Sequence, residues 1–397
     1  MASIQIAPGI TFVGVLNPSL RVFDIIMRAQ YGTSYNAYLV QGERGAALID
    51  ASHEGFTDEF LANVESVLPL PKIDYLVVNH TEPDHTGCIA ELLRRHPDIT
   101  VVGTNSAHKY LAAMVNTPYK QMIVKEGNSV DLGGRVLAFH PAPLLHWPDS
   151  MFTFDAVTRT AFTCDFLGEH FCEPRLFDER IQYRDAWDRQ FKYYFDCIFG
   201  PFKPYVLKGL DILAGLEPER VCPSHGTVKI GSLARCVNLY REWSIPAPTH
   251  DKKLVAIPYA SAYGYTARLA FAARDALEAA GFETRCADIV TTPLEEVSAA
   301  VAACDALLVG TDTINRDATK PVWDVLTSID AVNTKGRPAG AFGSYGWSGE
   351  AVPMALARLA QLGFKAEPDG VKVNFRPTDD DLAKVAQYAL AVAEKIK

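Results

Sequence analysis

From residue 254 onward, strand-like and helix-like patterns alternate without interruption. Residues 254–260 are an unbroken apolar run of strand length, and 266–280 are alanine-rich with apolar residues at helical spacing. The series continues with strand 284–290, helix 294–304, strand 306–310 and helix 321–329. Strand 339–343, helix 351–362, strand 371–374 and helix 380–396 complete it. A strand, helix, strand succession packs as a right-handed crossover between parallel neighbours. Five such pairs predict a doubly wound parallel sheet of five strands. Ligands of such sheets sit at the C-terminal strand ends.

The preceding residues follow another pattern. Short β-like runs occur at 11–15, 36–40, 46–49, 75–79, 136–139, 151–154 and 160–164, with helical patterns at 56–67 and 86–95. That mixture predicts β-sheets covered by outer helices. The two regions meet at 245–253, where two prolines and a charged stretch read as a linker. A chain of 397 residues exceeds one ordinary core. We therefore expect two α/β domains, 1–249 and 250–397.

Composition narrows the function classes. A hydrophobic fraction of 48% with 21% charged residues fits a soluble globular protein. The net charge of -9 opposes a nucleic-acid partner, which needs a basic surface. No apolar run reaches membrane-spanning length. Residues 1–6 carry neither a basic region nor an apolar one, so no secretory signal is expected. The eight cysteines form no Cys-x-x-Cys pair. They fit reduced thiols of a cytoplasmic protein and exclude a built-in rubredoxin or zinc ribbon. Cys164 and Cys172 are expected to pack rather than react.

The sharpest chemical signal is His80-Thr-Glu82-Pro-Asp84-His85, at the end of the apolar run 75–79. One histidine alone is more often structural than ligating, but four potential ligands within six residues favour a metal. Pro83 stiffens the loop, and Gly87 permits a tight turn. Two metals need more ligands than one loop supplies. His146, Asp165 and His225 are the best candidates, since each follows or precedes a strand-like run. A carboxylate can bridge two cations, which suits Asp165. His53, His96, His108, His140 and His250 have no partners at ligand spacing. His170 lies close after Asp165 and is a candidate for lining the substrate cavity.

In the second region, Ser261-Ala-Tyr263-Gly264-Tyr265-Thr266 joins the first strand to its helix. Small and hydroxylated residues there suit a phosphate at a helix N-terminus. Two further loops, 310–315 and 343–349, also follow strands.

The spacing His-x-Glu-x-Asp-His, with later histidine, aspartate and histidine at strand ends, resembles the diiron core of the flavodiiron proteins. The three later loops resemble a flavodoxin FMN site. The resemblance covers nearly the whole chain. It implies an N-terminal αββα metallo-β-lactamase-like domain followed by a flavodoxin-like domain. It implies two iron ions, one held by His80, Glu82 and His146, the other by Asp84, His85 and His225, with Asp165 bridging. The related hydrolases carry histidine where Glu82 stands. An imidazole suits zinc there, whereas a hard carboxylate stabilises ferric iron. FMN would lie among Ser261, Tyr263, Gly264, Tyr265 and Thr266, then Thr313, Ile314 and Asn315, then Ser344, Tyr345, Gly346, Trp347 and Gly349. Trp347 is read as stacking on the flavin ring or, alternatively, as a core anchor. Asp312 departs from the common Ser-Pro-Thr form of its loop and is expected to lower the flavin potential.

The implied activity is reduction of dioxygen to water, of nitric oxide to nitrous oxide, or both. Electrons would come from an external donor such as a rubredoxin, a flavin reductase or a reduced deazaflavin. The implied assembly is a head-to-tail homodimer or a dimer of dimers. Two other classes stay open at this point: a binuclear zinc hydrolase fused to a flavodoxin, and a degenerate, non-catalytic electron-transfer or binding protein.

Overall fold

The computed structural model describes residues 4–245 and 252–396. Residues 246–251, the centre of the expected linker, and His250 with them, lie outside the described residues. The chain divides into two compact units, Met1–Pro246 and Ala247–Lys397.

The first unit is built on two sheets. One has seven strands in the order Ile4–Ala7, Ile10–Phe12, Tyr38–Gln41, Ala46–Ile49, Tyr75–Val77, Thr100–Thr104 and Lys120–Val124. Its first half is antiparallel and its second half parallel. The other has five strands, Ser129–Asp131, Val136–Pro141, Met151–Asp155, Thr160–Cys164 and Arg220–Pro223. The apolar faces of the two sheets meet in a core that includes Phe12, Tyr38, Val77, Val102, Phe139 and Phe162. Helices Thr57–Val67, Ile89–Arg95 and Asn105–Val115 cover the outer face of the first sheet. Helices Arg184–Tyr194, Lys203–Leu216 and Leu233–Ser244 cover the second. The layers are therefore helix, sheet, sheet, helix.

Two local departures from the sequence reading have physical causes. The strand expected at 11–15 is broken in two. Ile10–Phe12 pairs within the large sheet, while Val15–Asn17 pairs with Thr33–Tyr35. Gly14 sits at the break, where the backbone of Tyr35 passes too close to admit any Cβ. The helix expected at 86–95 is also divided. A single turn, Pro83–Thr86, begins on Pro83, and Ile89–Arg95 follows.

The second unit is a parallel sheet in the order Glu283–Asp288, Leu254–Tyr259, Ala306–Gly310, Pro338–Tyr345. The fifth position is shared. Lys365–Ala366 pairs with the start of Pro338–Tyr345, and Val371–Asn374 pairs with its end. Sequence periodicity shows only the second of these, because two residues carry no period. Helices pack on both faces, forming separate clusters around Leu307 and Leu308. This is the doubly wound α/β arrangement, and its strand order reverses direction beside Leu254–Tyr259.

Candidate functional site

The strand Tyr75–Val77 packs into the sheet-on-sheet core, and its continuation carries the candidate ligand loop. Asn79 fixes that continuation. Its N–H and side-chain amide donate to the Asp50 carboxylate at 2.7 and 3.0 Å, and its side-chain oxygen accepts from the Thr153 hydroxyl at 2.7 Å. The first contact reaches a neighbouring strand end of the same sheet, the second the opposite sheet. His80 to His85 is thus held by both layers.

The seven residues singled out in the first unit converge. The metal-binding atoms of His80, Glu82, His146 and Asp165 lie within 4.8 Å of one another. Those of Asp84, His85 and His225 form a second such group. Asp165 faces both. Its Oδ2 lies 3.6 Å from His80 Nε2 and 3.3 Å from His146 Nε2. Its Oδ1 lies 3.0 Å from His85 Nε2 and 3.4 Å from His225 Nε2. Glu82 Oε2 meets both His80 and His146, at 3.3 and 3.1 Å, and Asp84 Oδ2 meets His225 at 3.0 Å.

The buried polar atoms test whether cations fit. Among the described residues, both carboxylate oxygens of Asp84 and Oδ2 of Asp165 are buried and face only the neighbouring imidazoles, with no well-formed hydrogen bond to any of them. A buried carboxylate left this way is costly unless a cation faces it. Two of the histidines are already oriented for ligation. His80 Nδ1 donates to Asp149 Oδ2 at 3.2 Å, and His225 Nδ1 donates to the Ser34 carbonyl at 2.7 Å. Each bond fixes the tautomer and leaves the Nε2 lone pair facing the carboxylates.

Electrostatics carry the same demand. Burial alone pushes the His85 imidazole pKa down, but Asp84 and Asp165 outweigh it and raise it to about 9. Burial also opposes charge on His80, yet Asp149 and Glu82 hold its pKa well above the ordinary value. Burial would raise the carboxyl groups of Asp165 and Glu82. The surrounding imidazoles reverse that and keep both low. Three clustered carboxylates call for positive charge, and divalent cations supply it without protonating the histidines.

In the second unit a cleft is lined by Tyr263, Tyr265, Thr313, Ile314, Ser344, Tyr345, Gly346 and Trp347, together with Ala262, Asp312 and Phe375. Ser261 lies just behind it, its hydroxyl accepting from the Ala267 N–H at 3.1 Å. Thr266 is fully buried, and Gly264 begins the helix Tyr265–Ala279 with φ 80°. Asn315 and Gly349 are in the same loops but do not line the cleft. Trp347 is 83% exposed, which removes the core-anchor reading. Asp312 turns into the first loop, where its carboxylate accepts from the Ala262 N–H at 2.5 Å.

Comparison with known proteins accounts for both units. A family model described as ODP family beta lactamase matches residues 33–226, and one described as Flavodoxin matches 257–388. Flavo-diiron protein FprA2 of Clostridium acetobutylicum is 45% identical, with all of both chains covered. The chain belongs to the flavo-diiron protein family. Type A flavoprotein fprA of Rhodobacter capsulatus is 35% identical over 99% of this chain and 91% of its own. Among solved structures, rubredoxin oxygen:oxidoreductase of Desulfovibrio gigas aligns with TM-score 0.70 at 28% identity, covering 99% of this chain and 98% of that one. The flavodiiron protein of Giardia intestinalis aligns with TM-score 0.68 at 27% identity over 99% and 96%. As a flavo-diiron protein the chain is an oxidoreductase whose cofactors are FMN and a diiron centre.

Sequence reasoning missed several groups around the centre of this flavo-diiron protein. Asp149 accepts from His80 and from the N–H and hydroxyl of Thr81, at 2.7 and 2.8 Å. Its signal was present, an acid three residues after His146. Tyr194 donates from its hydroxyl to Asp165 Oδ1 at 3.0 Å, but on a helix it reads as one more apolar-face residue. Asp24 sits in the turn of a small hairpin, and its carboxyl is raised to about 6, first by burial and then by the charge of Glu82. Nothing in the local pattern marks it. His170, a candidate cavity residue, is buried with its ring 4.7 Å from that of His225, and its Nδ1 meets the Thr33 hydroxyl at 2.8 Å.

Proposed function

We propose that this chain reduces dioxygen, nitric oxide or both at an iron pair held by its first unit, with FMN in its second unit passing on electrons from an external donor. The observation that carries the reading is the division of Asp165. Each of its oxygens faces a different ligand group, as a bridge between two cations requires. His80, Glu82 and His146 would hold one iron. Asp84, His85 and His225 would hold the other.

When bound, the iron pair supplies electrons to the diatomic substrate and FMN restores them. The protein's own groups prepare that chemistry. Four imidazoles and three carboxylates give each cation nitrogen and hard oxygen donors, which suits iron in both oxidation states. Asp149 and Ser34 keep His80 and His225 from rotating. Tyr194 donates a hydrogen bond to Asp165 and closes one side of the site. His170, Phe23 and Tyr194 pack ring against ring beside His225 and exclude water there. In the second unit, the exposed rings of Tyr263 and Trp347 flank the cleft and offer flat faces to a flavin.

The test is an anaerobic assay of the full chain, loaded with ferrous iron and FMN, against O2 and NO separately. Consumption of one or both gases with nitrous oxide or water as product supports the reading. Iron retained without consumption of either gas refutes it. Similarity to the Desulfovibrio gigas oxygen:oxidoreductase favours O2 and an external rubredoxin-type donor. A flavin reductase or a reduced deazaflavin would serve the same role.

Two further expectations arise here. Asp149→Ala should lower iron affinity by about 10–100-fold, the usual cost of losing a partner behind a metal ligand. Iron titration of the apoprotein measures it, and Asp149→Asn should recover part of the loss. Secondly, we expect a head-to-tail dimer, or a dimer of such dimers, that places one subunit's FMN by the other's irons. Ile25 and Ile26, 93% and 86% exposed in the turn beside Asp24, support a covering partner. Sedimentation showing a fully active monomer would rule the dimer out.

A further inference from the structure

The feature left unused by this reading is Asp312. Its carboxylate is 7% exposed and ties three loops together. Oδ2 accepts from the Ala262 N–H at 2.5 Å, while Oδ1 accepts from the hydroxyls of Thr266 and, at 3.0 Å, Ser344. Thr266 and Ser344 are themselves 3.0 Å apart, and the Ser344 N–H donates to Thr266 at 3.0 Å. Among the described residues no lysine or arginine pairs with this carboxylate.

The place of these donors gives the contact its meaning. Ala262 and Thr266 belong to the turn that opens the helix Tyr265–Ala279. The N–H groups at such a turn and the helix dipole favour an anion. Here an anion from the chain itself already occupies two of the donors. The same carboxylate borders the cleft with Tyr263 and Tyr265. An FMN phosphate carries about two negative charges, and like charges a few ångströms apart repel strongly in a site of low effective dielectric.

We propose that Asp312 is a resident anion that competes with the flavin phosphate, so that this pocket discriminates less between phosphorylated and unphosphorylated flavins than its donors would allow. Asp312 is then a specificity-determining residue acting at the phosphate end of the cleft. This rests on the assignment of FMN to these loops made above. It also replaces the expectation that Asp312 acts on the ring: its oxygens bond to first-loop and third-loop donors, so its first effect is on phosphate.

The experiment uses the full chain, freed of flavin and titrated with FMN, riboflavin and inorganic phosphate. Removing the charge in Asp312→Asn should tighten FMN and inorganic phosphate by about tenfold or more, and change riboflavin by less than about threefold. Asp312→Ser, which removes the carboxylate and is too short to span the loops, should move FMN affinity in the same direction. It serves if the asparagine variant folds poorly. An FMN to riboflavin preference unchanged or reduced in both variants overturns the competition and leaves Asp312 a structural tie. Thr266→Val separates the two layers of the argument. If it weakens FMN while the Asp312 variants leave the preference unchanged, the site stands and the competition falls. If neither Thr266 nor Asp312 affects FMN, the flavin is held elsewhere and both fall.

Discussion

Asp165→Asn should abolish turnover, by at least about 100-fold, while FMN stays bound. Losing an outer partner of a metal ligand costs roughly 10–100-fold, and Asp165 is proposed as a direct ligand of both ions. The asparagine keeps the shape of the side chain but loses the negative charge and offers one oxygen in place of two. It cannot serve both His80 with His146 on one side and His85 with His225 on the other. Iron per chain and the visible flavin spectrum are the paired readouts. Glu82→Ala should behave alike, because Glu82 Oε2 faces both His80 and His146 and its loss leaves Asp165 as the one carboxylate facing both Nε2 atoms. If both variants keep full iron content and normal turnover, the proposed centre is wrong. If flavin is lost along with iron, the variants have damaged more than the site.

The second large effect concerns stability. Glu169→Ala should destabilise the first unit by about 3–5 kcal/mol, the usual range when one partner of a buried ion pair is removed. Glu169 and Lys229 are both fully buried and lie 2.5 Å apart. Glu169 Oε1 also accepts from the Trp187 indole N–H and from the N–H and hydroxyl of Thr227, each at 2.8 Å. Lys229 Nζ lies 5.5 Å from the Trp187 ring centroid. Truncating the glutamate therefore leaves a buried ammonium with the neutral oxygens of Thr227 and no counter-charge, and removes the acceptor of three further donors. Replacing both charges, as Glu169→Gln with Lys229→Met, should recover most of the loss, since a buried pair often contributes little net stability. Thermal unfolding of iron-free protein reads the effect. A change below about 1 kcal/mol in the single variant would show that Lys229 finds another partner.

The same network bears on the metal centre. Gly226, with φ 74°, follows His225 directly, and any Cβ on it would strike the Glu169 carboxylate. Glu169 therefore braces the loop that presents His225, four residues after Asp165 in sequence and adjacent to His225 in space.

How far the site could be read in advance depended on where its groups fall in sequence. His80, Glu82, Asp84 and His85 were legible because one loop carries them all. His146, Asp165 and His225 were legible as candidates because each borders a strand-like run, and the fold brings them beside that loop. Tyr194 and Asp24 were not. Their place comes from the helix Arg184–Tyr194 and the small hairpin of Val22–Phe23 with Met27–Arg28, a tertiary event that leaves no spacing in the sequence. The same limit applied to the fold. Strict alternation after residue 254 carried the main sheet of the second unit, but not the two-residue strand Lys365–Ala366, the small hairpin of Thr313–Ile314 with Asp317–Ala318, or the single turn Ala331–Thr334. In the first unit the strand at 11–15 was misread as continuous, because the crossing of Tyr35 over Gly14 is invisible to periodicity.

The layout of the first unit also sets an order of events in time. His80 and Asp84 leave the ribosome early, but His225 follows the strand Arg220–Pro223, the last strand of its sheet in chain order. That strand pairs in parallel with Thr160–Cys164, a contact between distant segments and so a slow one to form. Until it docks, the group of Asp84 and His85 lacks its third member, and the bridge proposed for Asp165 has one side only. A growing chain can thus gather one cation's ligands well before the other's. The iron pair is therefore expected to be complete only after synthesis has passed residue 226.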